Sequence, residues 1–202
     1  MIRTAVLVSG GGTNLQALID AAEAGALPHV SLDLVLSSSA DAYALKRAEK
    51  AGIETAVVRR KDYVCAELFD LAVTTVLKDH DIQLVVLAGY LSILGPLVIQ
   101  AYPERILNIH PSLIPSFCGK GFYGLKVHEA ALNRGVKVTG ATVHFVNEIP
   151  DGGRILLQKA VAVQEGDTPE ILQKRVMKEA EWIILPEAVR MVSEAMDKGE
   201  TK

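Results

Sequence analysis

Short apolar runs recur along the first half of the chain, each followed by glycine, serine or a polar turn and then by apolar positions at helical spacing. Ala5-Val6-Leu7-Val8 is apolar on both faces, as a parallel strand covered by helices on both sides must be. It breaks at Ser9-Gly10-Gly11-Gly12, and the pattern then predicts a helix from about Asn14 to Ala24, closed by Gly25. Leu32–Leu36 and Thr55–Val58 read as further strands. Between them Ala42–Lys50 reads as a helix, with Gly52 suited to its C′ position. A longer helix is expected from Ala66 to Lys78. The next strand, Leu84–Ala88, is the most hydrophobic and is expected at the centre of a sheet. A short helix, Pro96 to Tyr102, leads to the strand Ile106–Ile109. Alternating strands and helices imply a Rossmann-like, doubly wound, mostly parallel sheet with right-handed crossovers.

The pattern changes after residue 110. Ser112 to Leu125 is a glycine- and aromatic-containing loop, long enough to suggest a function. Val127 to Arg134 reads as a short helix. Thr142–Val146 and Ile155–Gln158 flank the turn Asp151-Gly152-Gly153 and read as paired antiparallel strands. A long final helix begins at the cap Thr168-Pro169-Glu170, with a break expected at Pro186. With no repeat, linker or low-complexity tract, the expectation is a single α/β domain over 1–202.

Composition narrows the classes. Half of the 202 residues are hydrophobic, which is ample for a core. No stretch reaches the roughly eighteen apolar residues of a membrane span, and Met1-Ile2-Arg3-Thr4 enters a strand with no signal-peptide pattern. A cytoplasmic protein without membrane association is therefore expected. A net charge of −3 gives no support for a nucleic-acid surface. Arg59-Arg60-Lys61 is a basic run of the kind usually just solvated. Cys65 and Cys118 are far apart and lack metal-ligand spacing, so they read as spectator thiols.

Two segments carry candidate chemistry. Ser9-Gly10-Gly11-Gly12-Thr13-Asn14 joins the first strand to the first helix. There the backbone can approach an anion closely, and the helix N-terminus offers unpaired N–H groups. A tight turn capped by Thr13 or Asn14 is the plainer reading. Leu15 stands where the dinucleotide fingerprint needs its third glycine, and the Walker lysine is missing, so a monophosphate fits better than NAD or ATP. The second segment, Asn108-Ile109-His110-Pro111-Ser112-Leu113-Ile114-Pro115, ends a strand with Asn108 and His110 on the same side. Joined by Asp151, the pair suits attack on a carbonyl. The Asn amide would donate to the oxyanion, a protonated His would add charge, and the carboxylate would raise the His pKa and orient the ring. Separately, the same residues could be a structural histidine, a cap and a turn former. His128 and His144 lack the partners of a metal site, so no metal is expected, and no G-x-S-x-G elbow is present.

Four blocks together resemble the phosphoribosylglycinamide formyltransferase family: Ser9–Gln16, Asn108–Pro115, Gly140–Val146 and Asp151-Gly152-Gly153. The resemblance runs from about residue 3 to 190. The second block and Asp151 are shared with folate-dependent formyl-transfer enzymes generally, and the first block points to the purine-pathway branch. The resemblance implies transfer of a formyl group from 10-formyltetrahydrofolate to the amine of glycinamide ribonucleotide, without a metal or a covalent enzyme intermediate. It assigns Asn108, His110 and Asp151 to catalysis, and Gly11, Gly12, Thr13 and Asn14 to the ribonucleotide. Glu181, or else Glu179, would lie near the substrate amine. Leu91-Ser92-Ile93-Leu94, with Asn108, would form the folate pocket. Residues 1–105 would then be the ribonucleotide-binding half and 106–202 the catalytic and folate-binding half. The partners implied are small molecules, with no nucleic acid or membrane, for a monomer or homodimer. Two departures stand out: Ser92 where many members carry a basic residue, and a Ser116–Leu125 loop longer than usual. A methionyl-tRNA formyltransferase would need a C-terminal tRNA-binding domain and a formyltetrahydrofolate hydrolase an extra N-terminal one, so neither is expected. A non-catalytic phosphate sensor has no need of an acid–base pair.

Overall fold

The computed structural model describes Met1–Glu200. Strands β1 (Ile2–Val8), β2 (Val30–Ser37), β3 (Glu54–Val57), β4 (Leu84–Leu87), β5 (Ile106–His110), β6 (Val138–Phe145) and β7 (Ile155–Ala162) form one seven-stranded sheet in the order β3-β2-β1-β4-β5-β6-β7. The first five run parallel; β6 is antiparallel to β5, and β7 to β6. Between and after them come α1 (Thr13–Glu23), α2 (Tyr43–Lys50), α3 (Ala66–Asp79), α4 (Pro96–Ala101), α5 (Leu125–Arg134), α6 (Pro169–Val176) and α7 (Trp182–Asp197). β4 lies at the middle of the sheet, as its hydrophobicity predicts. Among the described residues no helix is long and apolar enough to cross a membrane.

The doubly apolar strands divide two cores between them. Val6 and Val8 of β1 join Leu15 and Leu18 of α1 and Leu185 and Val189 of α7 on one face. Ala5 and Leu7 join Phe69, Val73 and Leu77 of α3 and Val98 of α4 on the other. Each large side chain buried this completely stabilises the fold by about 1.5–3 kcal/mol relative to exposure. A buried charge ties down the second face: the Asp70 carboxylate of α3 accepts from the N–H groups of Gly95 and Leu97, both at 2.7 Å. It thereby caps α4 from a neighbouring helix, in place of a local capping side chain.

Two expectations need correction. The antiparallel strands run further than the pattern predicts, pairing from Val138↔Ala162 to His144↔Ile155. β7 is an edge strand with much of its surface open to water, so Gln158 and Lys159 interrupt its apolar character without ending its backbone ladder. The final helix does not break at Pro186, which lies inside α7. The departure from α geometry falls earlier, in a π-helical turn over Met177–Glu181. Pro186 falls in the second turn of α7, close to its start, where only one backbone hydrogen bond is lost to the missing N–H.

Candidate active site

The chain crosses from one side of β1 to the other between β3 and β4, which makes the carboxyl ends of β1 and β4 the topological switch point of the sheet. The loops leaving these ends and that of β5 surround a cavity of about 330 Å³. Ser9 accepts a hydrogen bond from the Leu91 N–H at 2.8 Å and pairs with the Ser38 hydroxyl at 2.6 Å, tying the edge loops together.

Gly12 is the N-cap residue of α1 and adopts φ 71°, and no side chain caps the helix. The capping role considered for Thr13 and Asn14 is therefore not filled, and the first-turn N–H groups remain available to an anion. A side chain at position 12 would bring its Cβ within 2.6 Å of the Ala44 Cβ, so glycine is required by space as well as by φ. Arg47 holds the loop from behind, with Nε donating to the Gly11 carbonyl and Nη1 to the Gln16 side chain, each at 2.9 Å.

On the opposite wall the structure brings Asn108, His110 and Asp151 together. Antiparallel pairing sets Asn108 of β5 across from His144 of β6. Asp151 reaches them from its turn in a left-handed conformation, φ 55°. The chain turns back so tightly that a Cβ on Gly153 would strike the Phe145 carbonyl. The Asn108 amide donates to His144 Nε2 at 3.1 Å and, more weakly, to Asp151 Oδ1 at 3.4 Å. His110 Nδ1 lies 3.6 Å from Asp151 Oδ2, close enough for charge attraction but long for a hydrogen bond. Its Nε2–H donates to the Phe117 carbonyl at 2.9 Å, and the Gly119 N–H donates to Asp151 Oδ2 at 2.8 Å. Backbone groups of the long loop thus cover both His110 and Asp151. Beneath it, Thr142 Oγ1 donates to the Ser112 carbonyl at 2.7 Å and accepts from the Ile114 N–H at 3.1 Å, holding the strand end.

The electrostatics of His110 are balanced between two effects. Burial pushes its pKa down, and the opposing pull of Asp151 and the Phe117 carbonyl, in the direction expected for the carboxylate, does not make up the difference. Burial pushes the Asp151 carboxyl up, but the nearby His144 and His110 rings and the Gly119 N–H outweigh it, so the group is held below the ordinary carboxylate value.

A third set of residues comes from the far end of the chain. Glu181, at the end of the π turn, is buried against the cavity and accepts from the Asn14 amide at 2.6 Å. Burial pushes its pKa up to about 7 against that hydrogen bond. Glu179 faces solvent, so of the two candidate acids only Glu181 reaches the cleft. Gln173 and Met177 line the same cavity at four-residue steps before Glu181, a helical spacing visible in the sequence but not read there. His128 and His144 were missed as well. His128 lines the cavity, and burial with a contribution from His110 pushes its pKa down to about 4. Among the described residues neither of its ring nitrogens has a partner. Its only signal in the sequence was a place near the start of the helix that follows the long loop.

The proposed folate wall is divided. Leu91 lines the cavity, and Leu91 and Ile93 are largely exposed, whereas Leu94 is buried in the core with Tyr90 and Phe69. Leu94 thus supports the wall from beneath rather than presenting an open face. Cys118 is a free thiol whose Sγ donates to the Pro115 carbonyl at 3.3 Å. Among the described residues no group of three or more His, Cys, Asp or Glu is placed to hold a metal ion.

An uncapped helix start at the switch point of an α/β sheet, facing a partly buried Asn–His–Asp cluster, is an arrangement suited to group transfer. The chain belongs to the formyl transferase family, whose model matches residues 2–189. It is similar to the phosphoribosylglycinamide formyltransferase of Haemophilus influenzae, 41% identical over 194 residues, which cover 96% of this chain and 88% of that protein. It is also 47% identical over 193 residues to the trifunctional purine biosynthetic protein adenosine-3 of Homo sapiens, covering 95% of this chain and 18% of that protein. The chain spans between 14% and 19% of the length of the trifunctional relatives it matches. Among solved structures, glycinamide ribonucleotide transformylase 1 from Symbiobacterium toebii superposes with a TM-score of 0.90 at 45% identity, covering 96% of this chain and 89% of that one.

Proposed function

We propose that the chain transfers the formyl group of 10-formyltetrahydrofolate to the amine of glycinamide ribonucleotide. The observation that carries this reading is the convergence, on one cavity, of the uncapped N-terminus of α1, the buried Glu181 and the Asn108–His110–Asp151 cluster. The N–H groups after Gly12 suit the ribonucleotide phosphate. Glu181 and Asn14 suit its amine and ribose, and Leu91 to Ile93 the folate ring system. Residues 1–105 thus supply the phosphate cradle and part of the donor wall, and 106–202 supply the reacting groups.

The amine attacks the formyl carbon, and the Asn108 amide donates to the oxygen that becomes anionic. Its weak bond to Asp151 is the one readily exchanged for this purpose. His110 starts neutral, and the carboxylate beside it favours its protonation as the attacking amine loses a proton. Positive charge then appears at the site when the oxyanion does, so the interaction is stronger in the transition state than before it. When the intermediate collapses, the bond from carbon to the folate nitrogen breaks and that nitrogen takes the proton. No atom of the enzyme is left modified.

Incubation of the protein with 10-formyltetrahydrofolate, with and without glycinamide ribonucleotide, tests the reading. Release of tetrahydrofolate only when the ribonucleotide is present, with formylglycinamide ribonucleotide as the product, is expected. Release without it would mean hydrolysis, and no turnover in either case would leave only a binding protein; either result overturns the proposal.

A further inference from the structure

The three glycines between β1 and α1 lean on α2, each in a different way. The Gly10 carbonyl accepts from the Ala44 N–H at 3.0 Å. That N–H belongs to the first turn of α2, which has no side-chain cap, so the loop caps the helix while the helix holds the loop. The Gly11 carbonyl accepts from Arg47 Nε at 2.9 Å. Gly12 packs so closely against Ala44 that no side chain fits between them.

In a trans peptide the carbonyl and the N–H of the next residue point in opposite directions. Drawing the Gly10 and Gly11 carbonyls towards α2 therefore turns the N–H groups of Gly11 and Gly12 away from it. All three glycines line the cleft, and Ala44 and Arg47 do not. Among the described residues neither N–H has a hydrogen-bond partner. Successive free N–H groups turned from one helix, followed by the start of α1, make a concavity suited to an anion.

Arg47 is fixed from three sides. Its guanidinium lies 5.1 Å from the centre of the Tyr43 ring, Nε is on the Gly11 carbonyl, and Nη1 donates to Gln16 Oε1 at 2.9 Å. Gln16 is held in turn by Asp20, to which its Nε2 donates at 2.8 Å. Asp20 shares a surface cavity with Arg47 but is bonded to Gln16 and makes no ion pair with it. The chain of bonds from Asp20 through Gln16 and Arg47 thus ends on one loop carbonyl.

Resting on the proposed function, we infer that Arg47 is a positioning residue for the ribonucleotide phosphate. It touches no substrate itself. It fixes the Gly11–Gly12 peptide so that the Gly12 N–H is aimed at the phosphate before binding, and the loop need not be ordered when the substrate arrives.

Steady-state kinetics of Arg47→Met test the inference, with inorganic phosphate and glycinamide riboside, the substrate without its phosphate, as competitive inhibitors. The KM for the ribonucleotide should rise about tenfold, near the loss expected for one well-directed hydrogen bond to a charged group. The inhibition constant of inorganic phosphate should rise with it. The inhibition constant of the riboside, the KM for the formyl donor and kcat should not change. Gln16→Met leaves the cation in place and releases only Nη1, so it should show the same pattern with a smaller rise. Should Arg47→Met fail to fold, as melting would show, Gln16→Met carries the test. Equal weakening of ribonucleotide and riboside, or a fall in kcat with both KM values unchanged, would mean a general change in the cleft and overturns the inference. An unchanged ribonucleotide KM in Arg47→Met overturns it as well. A Gln16→Met variant that behaves like the unaltered protein would leave Arg47 a charge and not a positioning group, which also overturns it. In each of these cases formyl transfer still stands. Absence of transfer by the unaltered protein removes the proposed function, and this inference with it.

Discussion

The two walls of the cleft are built by different means. The wall from Ser9 to Asn14 is contiguous in the chain and works through its backbone: a left-handed glycine, an uncapped helix start and one carbonyl held from behind by Arg47. The facing wall works through side chains gathered from β5, β6 and the turn at Asp151. Its distances depend on strand register, and its charges depend on how deeply it is buried. A backbone device reads plainly in sequence because only a few residue types permit it. A side-chain device shows its members but not its state.

The largest effect that separates the walls should come from the side-chain one. Asn108→Ala and Asp151→Asn are each expected to lower kcat by about 10²–10³-fold, the usual loss for one oxyanion donor or its orienter. Circular dichroism and melting should show the fold intact. Near-normal turnover in either variant would remove that residue from the mechanism. The backbone wall should respond the other way, with structure and binding failing together. Gly12→Ala places a Cβ against Ala44 and imposes a positive φ, so a stability loss on the order of 1–3 kcal/mol is expected, together with a raised KM for the ribonucleotide. Melting and kinetics on the same preparation would show whether the two losses can be separated. If they can, the loop is not the rigid cradle described here.

A smaller effect concerns Glu181, where the walls meet. Its folded pKa, about 7, lies above the ordinary glutamate value of 4.5. The folded state therefore holds the proton more tightly than the unfolded one. The stability this contributes is fully present below about pH 4.5 and is lost as pH rises through about 7. Glu181→Gln should flatten stability across that window by an amount on the order of 1–3 kcal/mol, read from denaturant midpoints at several pH values. An unchanged slope would show that the carboxyl ionises freely. The smallest effect belongs to Cys118. The long loop reaches His110 and Asp151 through the backbone of Phe117 and Gly119, so Cys118→Ser should change stability by no more than about 0.5 kcal/mol and leave turnover within about twofold. A larger loss of turnover would give the thiol a role.

Much of the fold was legible because its signals are local. Leu84–Leu87 announced itself as central by being apolar on both faces, and Gly25 and Gly52 marked the ends of α1 and α2. Pro186 misled because a missing N–H is a local signal, whereas whether a helix continues past it depends on the packing of its buried face. Of the site, Asn108, His110 and Asp151 stood out by residue type and by the turn chemistry around them. His144 did not, since only the register of β5 against β6 shows that it faces Asn108.

By itself the sequence determined the alternation of strands and helices and the glycine-rich turn between β1 and α1. Each follows from burial on a short period, or from a backbone conformation that few residues allow. Only the tertiary structure decided that burial holds the His110 pKa down and that Glu181 rather than Glu179 reaches the cleft. Ionisation depends on the dielectric and charges around a group, which come from segments distant in the chain. Which of two nearby acids is buried depends on which side of the helix faces the cleft.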